Sequence, residues 1–204
     1  DRYNSLYGFE TLHPMVGVVD FNHALRAPEK IRFLYGVYAV FLKMVKGCEI
    51  RYGRQTYDYQ EGTIVCFAPG QSVEVTMNSA EPQTDVLGLL FHPDLIKGTS
   101  LGRNIRRYGF FSYSSNEALH MSEQEKTLFM DSLRTIRTEL EHSVDKHSRT
   151  LLSMHIELLL EYCLRFYDRQ FITRDKVCRD AIVRFESLLD EYFDGNNAEE
   201  SGLP

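Results

Sequence analysis

Residues 61–70, Glu-Gly-Thr-Ile-Val-Cys-Phe-Ala-Pro-Gly, hold a β-branched and aromatic run between two turns. Glu61-Gly62 and Pro69-Gly70 carry the residue types that turns require, and 63–68 carries those that favour a strand. Working outward, similar strand-like runs recur at short, regular spacing, which predicts a small antiparallel barrel or sandwich. These runs cover residues 16–19, 33–45, 49–52, 55–59, 72–77 and 86–91.

The pattern changes from strand-like to helical near residue 92. Pro93 suits the first turn of a helix and predicts a short helical turn that ends near Gly98. Ser122 and Glu125 have the spacing of a capping box, so a longer helix is expected to begin there. Its apolar positions, spaced by three and four, form one face. They are Leu128, Phe129, Leu133, Ile136 and Leu140.

The next expected helix, residues 148–168, is apolar around nearly its whole circumference. Only Glu157, Glu161 and Arg165 form a charged stripe along it. Such a helix needs cover on two sides, which predicts pairing with a second copy of the chain. The alternative is cover by the following helix, expected at 175–193. The residues expected at the dimer interface are Leu152, Ile156, Leu159, Cys163 and Phe166.

Composition limits the possible functions. The net charge of −6 comes from mixed charges without a basic run, so these residues alone are expected to bind DNA poorly. The four cysteines are far apart in sequence, without the spacing of a zinc site or a disulfide scaffold. Neither a membrane-length apolar stretch nor a signal segment is present. A soluble, cytoplasmic protein with no membrane partner is therefore expected.

Motifs for catalysis or metal binding are absent from the sequence. A metal-dependent cupin enzyme needs several histidines and a carboxylate that converge from neighbouring strands. Of the seven histidines only His92 lies at a strand end, and H-x-H does not occur. Glu49 and Glu61 lie in the strand-rich half, where solvated carboxylates are expected. The sequence predicts no catalytic residue, no metal site and no cofactor, and hence not an enzyme.

Residues 61–70, followed by Val-Leu-Gly-Leu-Leu-Phe-His-Pro at 86–93, resemble the cupin-type sensor domain of AraC-family transcription regulators. Segments 91–102 and 160–174, with Gly-Leu-Pro at 202–204, are similar to members of the Bacteroidetes type. The resemblance implies an α+β chain in which a cupin-like antiparallel β-barrel of jelly-roll type precedes helices, one of them a dimerisation helix. It also implies a homodimer, with DNA bound only through an absent C-terminal helix-turn-helix domain.

The resemblance also suggests where a small-molecule effector binds. Metal-binding cupins carry a histidine shortly after the Pro-Gly turn, and residues 71–75 hold none. Positions that read sugar hydroxyls in sugar-sensing members correspond here to apolar or small residues, so a less hydroxylated ligand is expected. Arg32 is expected to pair with a ligand carboxylate. The residues expected to contact the ligand are Arg32, Tyr38, Phe67, Val75, Val86 and Gly88.

The expected organisation has four parts: the barrel at 1–98, a loop packed on it at 99–121, the helical dimerisation region at 122–194 and a linker at 195–204. The expected function is ligand sensing and dimerisation in an AraC-type regulator. Two alternatives stay open at this point, a metal-dependent cupin-like enzyme and a dimerisation scaffold that binds no ligand.

Overall fold

A computed structural model describes most of the chain, namely residues 2–24, 30–44, 48–52, 55–56, 62–77, 85–111 and 119–194. The chain forms two compact units, residues 1–166 and 167–204. The expected linker at 195–204, residues 53–54 between two of the expected strands, and Glu61 lie outside the described residues. The four expected domain divisions stay predictions.

Nine strands form two antiparallel sheets in the described residues. They are β1 (Val16–Asp20), β2 (Lys30–Leu34), β3 (Tyr38–Lys43), β4 (Cys48–Tyr52), β5 (Gln55–Thr56), β6 (Thr63–Phe67), β7 (Ser72–Met77), β8 (Val86–Phe91) and β9 (Leu119–His120). The five-stranded sheet has the order β1-β8-β3-β6-β9 and the four-stranded sheet the order β2-β7-β4-β5. The α+β class is confirmed. Each sheet has two different edge strands, so the five-stranded sheet does not close into a barrel.

The apolar run expected at 33–45 contains two strands instead of one, because the chain passes from one sheet to the other within it. Tyr35 lies between β2 and β3, and its N–H donates to the carbonyl of Gln71 at 2.9 Å. Its carbonyl accepts from the N–H of Gly70 at 2.7 Å. The Pro-Gly turn thus holds the crossing point between the two sheets.

One face of the five-stranded sheet, here called the inner face, packs into an apolar core that includes Val73 of the other sheet. Residues alternate between faces along a strand, so Ala39 and Phe41 of β3 share this face with Val65 and Phe67 of β6. The buried members of this inner core are Tyr7, Val19, Phe21, Tyr35, Ala39, Phe41, Val65, Phe67, Val73, Val86 and Leu90.

The opposite face of the same sheet is also buried, since every residue of β6 is buried. The helical half supplies this cover. The helices are α1 (Arg2–Tyr7), α2 (Pro93–Ile96), α3 (Ser100–Asn104), α4 (Glu123–Glu141) and α5 (Ser148–Asp194). Helix α4 lies against β1 and β8. A β-strand buried on both faces reads as a continuous apolar run, as 64–67 does.

The expected capping box at the start of α4 is confirmed. The hydroxyl of Ser122 accepts from the Glu125 N–H at 3.3 Å, and the Glu125 carboxylate accepts from the Ser122 N–H at 2.8 Å. The expected apolar face of α4 is buried at four positions, whereas Leu128 is 41% exposed. The break expected between 168 and 175 is wrong: α5 continues through it, and residues 148–194 contain no glycine or proline to end it.

Gly88 offers a test of the inner core. A Cβ atom at this position would lie 2.4 Å from Cδ1 of the Phe41 ring. Gly88→Ala is expected to lower the free energy of unfolding by about 1–3 kcal/mol, the usual cost of overpacking, measured by urea denaturation. Gly36→Ala is the control, because nothing lies within 4 Å of a Cβ there. Equal stability of the two variants would contradict this packing.

Candidate functional site

Three of the six residues expected to contact a ligand lie together on the inner face of the five-stranded sheet. Phe67 and Val86 belong to the inner core, and Gly88 lies directly beneath the Phe41 ring. Gly88 pairs with Phe41 across β8 and β3, so a larger residue at 88 would displace that ring. These three positions therefore line the space between the sheets, and Gly88 also has a packing role; their contact with a ligand stays a prediction.

The other three expected ligand residues do not join them. Tyr38 lies on the opposite face, where its ring stacks on Phe91 at a centroid distance of 5.0 Å and meets Phe111 edge-on. Arg32 is exposed and pairs in register with Glu74, on the face of β7 opposite to buried Val73. Since an exposed guanidinium on that face points away from the inner core, its expected ligand contact lacks support. The side chain of Val75 lies outside what the structure describes.

Aromatic rings fill much of the described inner core. The Phe67 ring stacks on Tyr35 with centroids 5.1 Å apart and tilts against Phe41 at 6.3 Å. Phe21 bridges from Phe41 to Tyr7, whose ring lies 4.9 Å from that of Phe21. A ligand between the sheets would contact ring faces and edges along most of its length.

Two polar residues lie at one end of this apolar space, and sequence reasoning missed both. Lys43 and Thr63 are paired across β3 and β6, and Lys43 also pairs with Val86 of β8. Alternation places Lys43 and Thr63 on the inner face, and they are 1% and 0% exposed. Both already have interaction partners. The sequence signal that could have identified this site is the lysine near the end of the apolar run 33–45.

The five residues expected at the dimer interface are buried inside the chain's own first unit. Leu152, Ile156, Leu159, Cys163 and Phe166 are each no more than 3% exposed. Their side chains are thus already covered without a partner chain. Dimerisation stays a prediction, and a dimer surface on α5 would have to consist of other residues of that helix.

The exposed apolar residues of α5 lie on a different stripe. Leu151, Met154 and Leu158 are 40%, 60% and 51% exposed. Steps of three and four residues place them on one side of the helix. We call these three residues the outer stripe.

A third side of α5 carries a polar row formed by Arg149, Ser153, Glu157 and Glu161 at steps of four. The Ser153 hydroxyl donates to Thr99 at 3.0 Å. The Arg149 guanidinium donates to three backbone carbonyls at the C-terminal end of α2, where carbonyls lack helical partners. These carbonyls belong to Asp94, Leu95 and Lys97.

The two carboxylates of the polar row are bound to the segment after α2. Glu157 accepts from the Ser100 hydroxyl at 3.0 Å and from the Asn104 amide at 3.1 Å. Glu161 accepts from the Tyr108 hydroxyl at 2.9 Å. Burial, followed by this carboxylate, raises the pKa of Tyr108 far above its ordinary value. Two members of the charged stripe seen in the sequence, Glu157 and Glu161, therefore lie on the side of α5 that docks on residues 94–108.

Two thiols are enclosed where α5 and the sheet belong to the same core. Cys66 of β6 and Cys163 of α5 are free and buried. Burial raises the pKa of Cys163 to about 12. Burial, and then the nearby Cys163, raises the pKa of Cys66 well above its ordinary value. Both groups stay protonated thiols, which are poor nucleophiles and poor metal ligands.

Two further cavities lie outside the inner core. A cleft of about 260 Å³ lies between residues 8–12, β1 and the end of α4. A smaller cavity of about 80 Å³ is lined by His13, His92 and Asn4, among others. Within the described residues, no three histidine, cysteine or acidic side chains are grouped so that they could hold a metal ion.

The smaller cavity contains a histidine whose neutral form is favoured. Nδ1 of His13 accepts from the Met15 N–H at 3.1 Å, and the Met15 carbonyl accepts from the His92 N–H at 2.8 Å. Burial lowers the pKa of His13 below its ordinary value of 6.5. Protonation of Nδ1 would also remove the acceptor that holds Met15.

This arrangement makes stability depend on pH. Because the folded pKa of His13 is lowered, its contribution is complete above pH 6.5 and is lost as the pH falls below that value towards the folded pKa. His13→Asn keeps an acceptor two residues before Met15 without a titration. Urea denaturation between pH 7.5 and pH 5 is expected to show a steeper loss for the unchanged protein. Parallel profiles would exclude this role, since both proteins share the other six histidines.

Comparison with known proteins gave no relative to draw on: no protein-family model and no curated protein matches this chain. In the described part of the chain, no helix is both long and apolar enough to cross a membrane. The candidate site is therefore defined by its geometry.

Proposed function

We propose that this chain is the ligand-sensing and dimerisation part of an AraC-type transcription regulator. The observation that carries the proposal is the strand order. The chain alternates between sheets so that β1-β8-β3-β6 faces β2-β7-β4-β5. This is the order of an eight-stranded jelly roll, the architecture of cupins. This strand order supports a cupin-like fold, in agreement with the sequence resemblance.

The proposed ligand site is the end of the inner core at Lys43 and Thr63. A buried lysine and a hydroxyl, two residues along their strands from Phe41 and Val65, suit a small carboxylate with an apolar body. The ring faces provide apolar contact, and the two polar groups fix the orientation. Lys43 takes the anchoring role that the sequence assigned to Arg32. The carboxylate would join the interactions that Lys43 and Thr63 already make.

The polar row connects α5 with the sheet through α2, so a shift of β8 can be transmitted to α5. Strand β8 lines the proposed site at Val86 and Gly88, and its chain continues directly into α2. Arg149 holds the end of α2 through three carbonyls. Any ligand that binds two arrangements of β8 with different affinity would therefore shift α5 with it. DNA binding itself is assigned to the C-terminal helix-turn-helix domain that the resemblance implies.

A scaffold that binds no ligand is the second candidate, and the aromatic packing of the inner core favours it. The stacked rings of Tyr35 and Phe67 already fill described space between the sheets. A scaffold keeps the dimerisation surface and lacks any response to carboxylates. The following measurement separates the two candidates.

Ligand binding is tested with octanoate and phenylacetate as probe carboxylates. A sensor is expected to show a concentration-dependent rise in Tm, since a ligand that binds only the folded state stabilises it. Lys43→Met is expected to abolish the rise, and Lys146→Met, at an exposed site, to keep it. A flat response of the unchanged protein to both probes would favour the scaffold. An unchanged rise in Lys43→Met would move the site elsewhere.

Dimerisation is tested at the outer stripe. The double variant Met154→Glu, Leu158→Glu places two carboxylates where an apolar contact is expected, and the molecular mass by light scattering should fall from dimer to monomer. Leu128→Glu, at a comparably exposed position on α4, is expected to stay dimeric. A dimer that persists in the double variant would exclude the outer stripe as the interface.

A further inference from the structure

The outer edge of β1 carries backbone groups that the sheet does not use. Among the described strands, β1 lies at the edge of its sheet and pairs with β8 alone. The His92 N–H donates to the Met15 carbonyl, which makes residues 15 and 92 a hydrogen-bonded pair. In an antiparallel ladder such pairs alternate with non-bonded ones. Gly17 and Val19 therefore bond to β8, whereas the N–H and C=O groups of 16, 18 and 20 point away from it.

The neighbouring pairing supports this assignment. The Met44 N–H donates to the Asp85 carbonyl, so residues 87, 89 and 91 of β8 bond towards β3. That leaves 88 and 90 of β8 to bond towards β1. Among the described residues, the outward backbone groups of Val16 and Val18 have no hydrogen-bond partner. An open strand edge of this kind is a template for another strand.

This edge opens into the cleft of about 260 Å³. Val16, Val18 and Asp20 of β1 line this cleft together with Phe9, Leu12 and Leu140 of α4. An extended peptide segment laid along β1 would therefore contact the apolar side chains of Phe9, Leu12 and Leu140 that line the cleft.

Charge around the cleft determines what kind of peptide it suits. Glu10 and Asp20 line it together with Arg137, and Arg137 is already paired with Glu141 at 3.4 Å. Glu10 and Asp20 thus bring two carboxylates to the cleft, and its one guanidinium already has a carboxylate partner. Two copies of this edge would repel each other, so a cationic partner is favoured over a second copy.

We propose that the β1 edge binds an extended, positively charged peptide segment as an added strand. The outward groups of Val16 and Val18 supply the main-chain hydrogen bonds, and Glu10 and Asp20 select lysine or arginine side chains. Recognition then combines strand addition, which gives affinity, with charge, which gives selectivity.

The probe is a blocked pentapeptide of alternating lysine and valine, titrated against the full chain by calorimetry. Saturable binding is expected, with slowed hydrogen exchange at the Val16 and Val18 amides. Two matched peptides are expected to bind at least about tenfold more weakly because each lacks one element of recognition. The first has every amide N-methylated, and the second has glutamate in place of lysine.

Variants locate the site on the chain. Val18→Pro removes an outward N–H without touching the ladder to β8 and should weaken binding by about fivefold, the loss of one net hydrogen bond. Glu10→Gln should weaken it by about threefold. Glu123→Gln is the control and should change nothing, because it lies 14 residues before Arg137 on α4, about 21 Å along the helix.

Several results would overturn the proposal. These are no saturable binding, equal affinity for the methylated or the acidic peptide, or equal effects of Glu10→Gln and Glu123→Gln. Protection of the Val16 and Val18 amides in a dimer without peptide would also overturn it, in favour of a second copy. If Val18→Pro does not fold, the methylated peptide and the variants Glu10→Gln and Glu123→Gln still test the proposal.

Discussion

Phe41 occupies the space where a side chain on Gly88 would lie, so its ring covers β8 on the inner face of the sheet. Strand β3 is buried on both faces, so the five-stranded sheet needs two separate covering layers. The four-stranded sheet covers the inner face with the help of Tyr7 and Phe21. The helical half covers the other face.

The polar row on α5 explains how a helix with apolar residues on most sides takes one orientation. Apolar contact alone specifies such a rotation weakly, since Leu152 and Leu158 are equally suitable for burial. Bonds from Arg149 and Glu157 to residues 94–104 are directional, so they select the side that docks. The outer stripe is then left exposed as a consequence of the polar contacts.

Local signals predicted part of this structure. The bounds of β7 and β8, the capping box at Ser122 and the helical turn after Pro93 agree with expectation, because each depends on neighbouring residues. Features set by distant residues were missed. The face of α5 that is buried depends on residues 94–108, and the inward position of Lys43 depends on where the run 33–45 crosses between sheets. For the same reason Arg32, which pairs with Glu74 on the face opposite to Val73, was given a ligand contact that the described geometry does not support.

The two buried thiols can report local opening of the fold. Cys66 lies on the sheet and Cys163 on α5, and both react with an alkylating reagent only when the surrounding structure opens. With Cys48 and Cys178 replaced, their labelling rates would report opening of the sheet and opening of the helix separately. Equal rates would mean that the two elements come apart in one event. Unequal rates would show that α5 leaves the sheet while the strands stay paired.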